Sequence, residues 1–152
     1  MTSTTGLMLM QNATDRFFID SNVLVYSYDR AEPDKQSRAQ ELIAGFFQNA
    51  NGILSVQVLG EFFSVVTRRI PNPLSIQEAE AAVALFGLLQ VIDIDLAMVQ
   101  RDIATHSRYG TSYWDSLIIA AAERAGCSTI LSEDLNAGQY YHGILAVNPF
   151  LA

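Results

Sequence analysis

The stretch Phe17-Phe18-Ile19-Asp20-Ser21-Asn22-Val23-Leu24 decides how the rest of the chain is interpreted. Its first three residues form a short apolar run that is typical of a buried strand, and Asp20 closes that run. The polar residues Ser21 and Asn22 follow, and their side chains can cap a helix from Val23 to Tyr28. The stretch therefore predicts a strand that passes directly into a helix, with an acid at the junction.

The same alternation of strand and helix patterns continues along the chain. Strands alternating with helices predict an α/β fold class, in which helices cover both faces of a parallel sheet. Pro71 and Pro73 stop one helix, and Ser75 with Glu78 matches a capping box at the start of the next. The predicted strands cover residues 17–20, 52–56, 91–94, 128–131 and 144–147, and the predicted helices cover 23–28, 34–49, 57–70, 75–89, 96–108 and 113–125.

Length and composition indicate one globular domain. A chain of 152 residues with 50% hydrophobic content suits a single core. Residues 1–14 contain no Lys or Arg and lack the charged start of a secretion signal, so we expect a flexible extension followed by one domain over residues 15–152. No run approaches the roughly 20 apolar residues of a membrane helix. Cys127 is the single cysteine, which favours a reducing compartment and a soluble, cytoplasmic protein.

The formal net charge of −7 argues against a nucleic-acid partner. Binding to phosphates normally depends on a basic surface. Two considerations weaken that objection. If the acids surround a metal ion, the bound cation reverses the local electric field. A few arginines can also form a local basic patch. Net charge alone therefore does not decide whether the partner is a nucleic acid.

Four acids provide the functional signal. Asp20, Glu61 and Asp115 lie inside apolar runs, and Asp134 follows another such run. A buried ion is costly unless it is paired or coordinates a metal. No Lys or Arg lies within two positions of any of the four, so their partners must come from tertiary contacts or from a cation.

The predicted fold brings these acids together. Asp20 and Asp134 follow strands, so both should reach the carboxyl edge of the sheet, where sites form in such folds. Glu61 and Asp115 share helix faces with apolar residues at offsets of three and four, so both should point inward. Two carboxylates about 5 Å apart repel by roughly 3 kcal/mol at an effective dielectric of about 20. Oxygen ligands select hard cations, which predicts Mg²⁺ or Mn²⁺.

Residues near the acids are further candidates for the site. Ser21, Asn22 and Ser132 can orient the acids or bound water, and Glu133 is an additional acid that could contribute. Basic and aromatic residues close to the helices that carry Glu61 and Asp115 are candidate contacts to a nucleic-acid strand. The alternative places these arginines at helix C-termini, where cations are favoured, and these aromatics in the core. The candidates are Arg68, Arg69, Arg108, Tyr113 and Trp114.

In their order and spacing, four motifs resemble the PIN-domain ribonucleases, and among them the VapC toxins of toxin–antitoxin pairs. They are the segments 18–24, 57–62, 109–122 and 131–138, which carry Asp20, Glu61, Asp115 and Asp134. The resemblance extends over nearly the whole of the chain from Phe17 onward. It implies a three-layer α/β/α sandwich around a mainly parallel sheet, and these four acids as the catalytic, metal-binding set. It further implies metal-dependent cleavage of single-stranded or loop RNA, frequent homodimers and inhibition by an antitoxin protein.

Other functional classes fit the sequence less well. A receiver-type phosphoacceptor domain needs a lysine after a late strand, but the only lysine is Lys35 in an early helix. A dinucleotide-binding oxidoreductase needs a glycine-rich first turn, and Asp20-Ser21-Asn22 occupies that place. No Gly-x-Ser-x-Gly nucleophile elbow occurs. The remaining alternative is a catalytically silent PIN-like module that binds RNA or a protein, and retention of all four acids argues against it.

Overall fold

The computed structural model describes residues 15–151, so the extension predicted at residues 1–14 lies outside the described residues. Strands and helices alternate through this part of the chain. The strands are β1 (Phe17–Ile19), β2 (Gly52–Ser55), β3 (Gln90–Ile92), β4 (Thr129–Leu131), β5 (Tyr140–Tyr141) and β6 (Ile144–Val147). The helices are α1 (Ser21–Tyr26), α2 (Pro33–Asn49), α3 (Val56–Val66), α4 (Ile76–Phe86), α5 (Leu96–Tyr109) and α6 (Tyr113–Arg124).

The strands form one sheet in the order β3-β2-β1-β4-β6-β5. Every neighbouring pair is parallel except β5 and β6, which are antiparallel. Strands β1, β2 and β4 are buried along their whole length, as expected for strands covered by helices on both faces. The predicted α/β/α sandwich with a mainly parallel sheet is therefore confirmed.

Strand β5 is absent from the strands predicted from the sequence. It pairs with β6 through a two-residue turn at His142 and Gly143, where Tyr141 lies opposite Ile144. The φ angles of His142 and Gly143 are 50° and 80°, as in the tight turns that join antiparallel strands. A strand of two residues is too short to show an alternating pattern, so this hairpin has little sequence signal.

The register of the sheet brings two chain segments to the same edge. Ile19 pairs with Leu131 in the parallel alignment of β1 and β4. The next residues, Asp20 and Ser132, therefore leave the sheet side by side, and the Asp20 amide donates to the Leu131 carbonyl at 3.0 Å. The sheet thus places residues far apart in sequence at one carboxyl edge.

Helix α1 begins earlier than predicted. Asp20, and not Ser21 or Asn22, is its N-cap: the Asp20 side chain accepts a hydrogen bond from the Ser21 amide. The predicted capping box of α4 is confirmed, since the Ser75 hydroxyl accepts from the Glu78 amide and the Glu78 carboxylate accepts from the Ser75 amide. Among residues 15–151, no helix combines the length and the apolar character that a membrane crossing requires.

Candidate metal centre

Four acids line one cavity of about 280 Å³ at the carboxyl edge of the sheet. Asp20 follows β1, and Asp134 lies in the loop after β4. Glu61 lies in the middle of α3, and Asp115 lies in the first turn of α6. The sheet and two helices thus bring together side chains from four separate segments.

Asp20 is buried and forms the floor of the cavity, with 4% of its surface exposed. One carboxylate oxygen accepts from the Ser21 amide at 2.7 Å, and the other accepts from the Ser132 hydroxyl at 2.7 Å. Burial raises the pKa of Asp20 to about 7, although these two hydrogen bonds oppose the shift and the charges of Asp134 and Glu61 add to it. A cation in the cavity would oppose this shift, because its charge would stabilise the buried carboxylate.

The two helical acids face the cavity because the apolar sides of their helices face the core. Val58, which lies one helical turn before Glu61, and Phe62, which directly follows it, are fully buried. Burial raises the pKa of Glu61, a hydrogen bond from Gln57 partly offsets that rise, and the charge of Asp115 adds to it. Burial likewise raises the pKa of Asp115, and the charge of Asp134 contributes. The acids therefore repel one another inside a shared, partly desolvated space.

Asp134 is exposed and is positioned by hydrogen bonds. Its amide donates to the Ser132 hydroxyl at 3.0 Å, and one of its carboxylate oxygens accepts from the Asn22 side chain at 3.3 Å. Ser21, Asn22 and Ser132 thus each form a hydrogen bond to an acid of the cavity, and such bonds fix the direction of a carboxylate.

Glu133, proposed from the sequence as an additional acid, does not line the cavity. Its carboxylate accepts hydrogen bonds from Lys35 and Tyr26, both at 2.7 Å. Adjacent residues of this loop therefore point in different directions: the side chain of residue 134 faces the cavity, and that of residue 133 faces α1 and α2.

The candidate RNA contacts are distributed unequally. Arg69 lines the cavity, whereas the guanidinium of Arg68 donates to the Ser64 hydroxyl at 3.3 Å and that of Arg108 lies 5.0 Å from the ring centre of Tyr109. Tyr113 and Trp114 are exposed at the start of α6, and their rings pack edge to face with centres 4.8 Å apart. Their placement in the core, which was the alternative interpretation, is therefore wrong.

Gln57 is a cavity residue that the sequence reasoning missed. Its amide nitrogen donates to Glu61 at 3.1 Å and to the Trp114 carbonyl at 3.2 Å, so it links α3 to the start of α6. Its amide oxygen is buried and has no hydrogen-bond partner among the described residues. The available signal was its position one helical turn before Glu61, on the same face of the helix.

The donor chemistry of the cavity suits a hard cation. In the arrangement described for residues 15–151, no three His, Cys, Asp or Glu side chains are gathered tightly enough to enclose a bare ion. Mg²⁺ rarely requires such a cage, because it retains several waters and is commonly held by one or two carboxylates. Four carboxylates and the unpartnered oxygen of Gln57 are all oxygen donors, so the residues fit a hydrated Mg²⁺ or Mn²⁺ ion.

Comparisons with known proteins agree with the observed fold. The family model described as PIN domain matches residues 17–142. Comparison with the curated proteins gives no match.

Similar solved structures share the fold. One is Mycobacterium tuberculosis VapC20, described as a toxin that cleaves the sarcin-ricin loop (TM-score 0.63, 19% identity, covering 78% of this chain and 89% of that one). A second is a toxin–antitoxin complex from Klebsiella pneumoniae (TM-score 0.66, 14% identity, covering 88% and 97%). A third is DNA-bound VapBC from Salmonella typhimurium (TM-score 0.60, 20% identity, covering 88% and 97%). The match of the family model from β1 to the β5–β6 turn, together with the observed sheet, shows that the chain belongs to the PIN domain family.

Proposed function

We propose that this PIN-domain protein is a metal-dependent endoribonuclease, that it cleaves single-stranded or loop RNA, and that it acts as the toxin of a toxin–antitoxin pair in the cytoplasm. One observation carries the proposal: Asp20, Glu61, Asp115 and Asp134 line a single cavity at the carboxyl edge of the sheet. The described toxin structures with the same fold support the choice of RNA as substrate.

The four acids would hold Mg²⁺ or Mn²⁺, with Asp20 at the floor of the cavity and Asp134 at its exposed rim. When bound, such an ion polarises the phosphoryl oxygen and promotes attack by water. Ser132 and the Ser21 amide fix the carboxylate of Asp20, and Gln57 fixes that of Glu61. These hydrogen bonds hold the carboxylates in place before the substrate binds. Less entropy is therefore lost when the reacting groups are brought into position.

Two further features support binding of RNA despite the acidic net charge. Arg69 is the cationic residue among those that line the cavity, and its guanidinium can form paired hydrogen bonds with a phosphate. Trp114 is 60% exposed beside the site and offers a face on which an unpaired base can stack. Base stacking on an exposed ring suits a splayed single strand better than a regular duplex.

A groove between α2 and α4 supports the proposed antitoxin partner. The groove has a volume of about 680 Å³, and its apolar lining includes Ile43, Phe47, Leu85 and Phe86. Such a groove suits the apolar face of a partner helix. We expect growth arrest on expression of the protein, relief by the product of an adjacent reading frame, and loss of that relief with Leu85→Asp. Leu85 is 45% exposed, so this substitution should leave the fold intact.

A second apolar hollow supports the proposed homodimer. Its volume is about 430 Å³, and Leu59, Phe63, Ile76 and Val83 contribute to its lining. Ile76 is 64% exposed and extends this apolar surface, and a contiguous exposed apolar patch is typical of a protein–protein interface. Sedimentation should give twice the mass of the chain, and Ile76→Asp should give the monomer mass. A wild-type monomer at micromolar concentration would contradict the dimer.

The nuclease activity is tested with total bacterial RNA, Mn²⁺ or Mg²⁺, and mapping of new 5′ ends. We expect discrete cuts that vanish with EDTA and with Asp115→Asn. Asp93→Asn is the matched control, because Asp93 is an exposed acid outside the cavity. Metal binding without cleavage would contradict the nuclease and favour the silent RNA-binding or interaction module. Cleavage that persists in EDTA would contradict the metal requirement.

A further inference from the structure

The loop after β4 carries Asp134 but gives it little packing support. Asp134 is exposed, whereas Ser132 and Leu135 on either side are buried. The hydroxyl of Ser132 accepts from the amides of Asp134 and Leu135 at 3.0 and 3.4 Å. The direction in which the Asp134 carboxylate points is therefore set by these hydrogen bonds, by the one that the carboxylate accepts from Asn22 at 3.3 Å, and by how residue 133 is anchored.

Residue 133 is anchored by three contacts from α1 and α2. The Glu133 carboxylate accepts from Lys35 and from the Tyr26 hydroxyl, both at 2.7 Å. The Glu133 amide donates to the side-chain oxygen of Asn22 at 3.2 Å. We call the trio of Glu133, Lys35 and Tyr26 the Glu133 clamp.

The position of Lys35 is unfavourable for a positive charge unless Glu133 pairs with it. It lies in the first turn of α2, where the helix dipole disfavours a positive charge. Its ammonium lies 4.7 Å from the ring centre of Tyr26 and 5.8 Å from that of Phe150, and it also donates to the Tyr26 hydroxyl at 3.2 Å. The two rings pack edge to face at 4.9 Å. The ammonium is thus fixed on several sides and directed at Glu133.

We propose that the Glu133 clamp is a positioning device, in which Lys35 and Tyr26 hold Glu133 so that the adjacent Asp134 faces the cavity. Glu133 is accordingly a positioning residue and not a ligand of the metal. This inference rests on the proposed function, because it assigns the clamp to the same site.

The clamp differs from an ordinary surface ion pair in what it supports. Partly exposed ion pairs contribute little to stability. The side chains of Lys35 and Glu133 are 35% and 28% exposed, so loss of the pair should change the unfolding midpoint only slightly. A partner that orients a metal ligand has a larger effect on the site, since its loss typically weakens metal binding or activity by about 10- to 100-fold.

The test uses four variants of the full chain. Glu133→Gln and Lys35→Met remove the charge from one side of the clamp, and Lys35→Arg retains it. Glu41→Gln is the matched control, because it breaks the Arg38–Glu41 ion pair on the same helix without touching the loop. The readouts are amide hydrogen exchange of residues 133–135 without metal, Mn²⁺ affinity by calorimetry, and the KM for RNA.

We expect Glu133→Gln and Lys35→Met to speed exchange at residues 133–135 and to weaken Mn²⁺ binding about tenfold, with the KM for RNA unchanged. Lys35→Arg and Glu41→Gln should resemble the wild type. Unchanged exchange, or faster exchange with unchanged Mn²⁺ affinity, would overturn the clamp. So would weaker Mn²⁺ binding in Glu133→Gln alone, since that pattern marks a direct ligand.

Failure of the proposed function gives a different result. A wild-type protein that binds no Mn²⁺ and cuts no RNA would overturn the nuclease. Hydrogen exchange of the metal-free variants would still decide whether the Lys35–Glu133 pair holds the loop.

Discussion

The Ser132 hydroxyl donates a 2.7 Å hydrogen bond to the Asp20 carboxylate, and both residues are buried. These two residues follow the ends of two neighbouring parallel strands, so the bond ties the two halves of the cavity floor together. It links segments that are 112 positions apart in the chain.

Ser132→Ala should weaken both the metal site and the fold. The hydrogen bond favours the charged form of Asp20, so its loss should raise the pKa of Asp20 further above about 7. Loss of a hydrogen bond to a charged, buried group costs about 1.5–3 kcal/mol, and metal affinity should fall about 10- to 100-fold. Urea unfolding and Mn²⁺ calorimetry measure the two effects. Ser107→Ala, an exposed serine of α5, should change neither.

The raised pKa of Asp20 predicts an unusual pH dependence of the metal-free protein. Burial shifts this pKa from 3.8 to about 7, so between these values the folded protein holds a proton that the unfolded chain releases. The contribution of Asp20 to the free energy of unfolding therefore falls by on the order of 4 kcal/mol as the pH rises through that window. Asp20→Asn does not titrate and should gain stability relative to the wild type from pH 4.5 to 7.5 in EDTA. A constant difference across that range would contradict the shift.

Neighbouring arginines allow a matched test of the RNA surface. Arg69 lines the cavity, whereas Arg68 donates to Ser64 and does not line it. Arg69→Gln should raise the KM for RNA about tenfold, the equivalent of 1.4 kcal/mol, and reduce the slope of log affinity against log salt by about 0.7. Arg68→Gln should have a smaller effect on both quantities. Equal effects of the two substitutions would indicate that both arginines attract RNA only through the general electrostatic field, and that Arg69 makes no specific contact.

Two exposed aromatics permit a similar comparison for base stacking. Trp114 and Tyr140 are 60% and 61% exposed, but only Trp114 lies beside the cavity. Stacking of one base contributes about 1–3 kcal/mol, so Trp114→Ala should weaken binding of single-stranded RNA by about 5- to 150-fold. Tyr140→Ala should leave it unchanged. Filter binding in EDTA measures both without cleavage.

Much of the site could be predicted because its signals are local. Asp20, Glu61 and Asp115 lie in apolar runs, and Asp134 follows one. The strand-end position of Asp20 and the helical spacing around Glu61 indicate where these two side chains point. The parallel order of the sheet then brings the four segments to one edge. None of these steps requires knowledge of a distant contact.

The contacts that were missed depend on tertiary pairing. Glu133 and Lys35 are 98 positions apart, and nothing near either residue in the sequence identifies the other as its partner. The sequence therefore left Glu133 as a candidate acid of the site. The sequence prediction starts helix α1 at Val23 because Ser21 and Asn22 are also capping residues, whereas in the structure Asp20 both caps the helix and lines the cavity.

Gln57 offers the sharpest test of whether the cavity holds a cation. Its amide donates to Glu61 and to the Trp114 carbonyl, and its oxygen lacks a partner among the described residues. Gln57→Glu adds a fifth carboxylate, so it should destabilise the metal-free protein by a few kcal/mol through repulsion. The same substitution adds a ligand, so it should enlarge the gain in melting temperature produced by Mn²⁺. Gln57→Leu removes the donor and the oxygen, and should reduce that gain. If Gln57→Glu lowers stability equally with and without Mn²⁺, the acids do not share a metal ion.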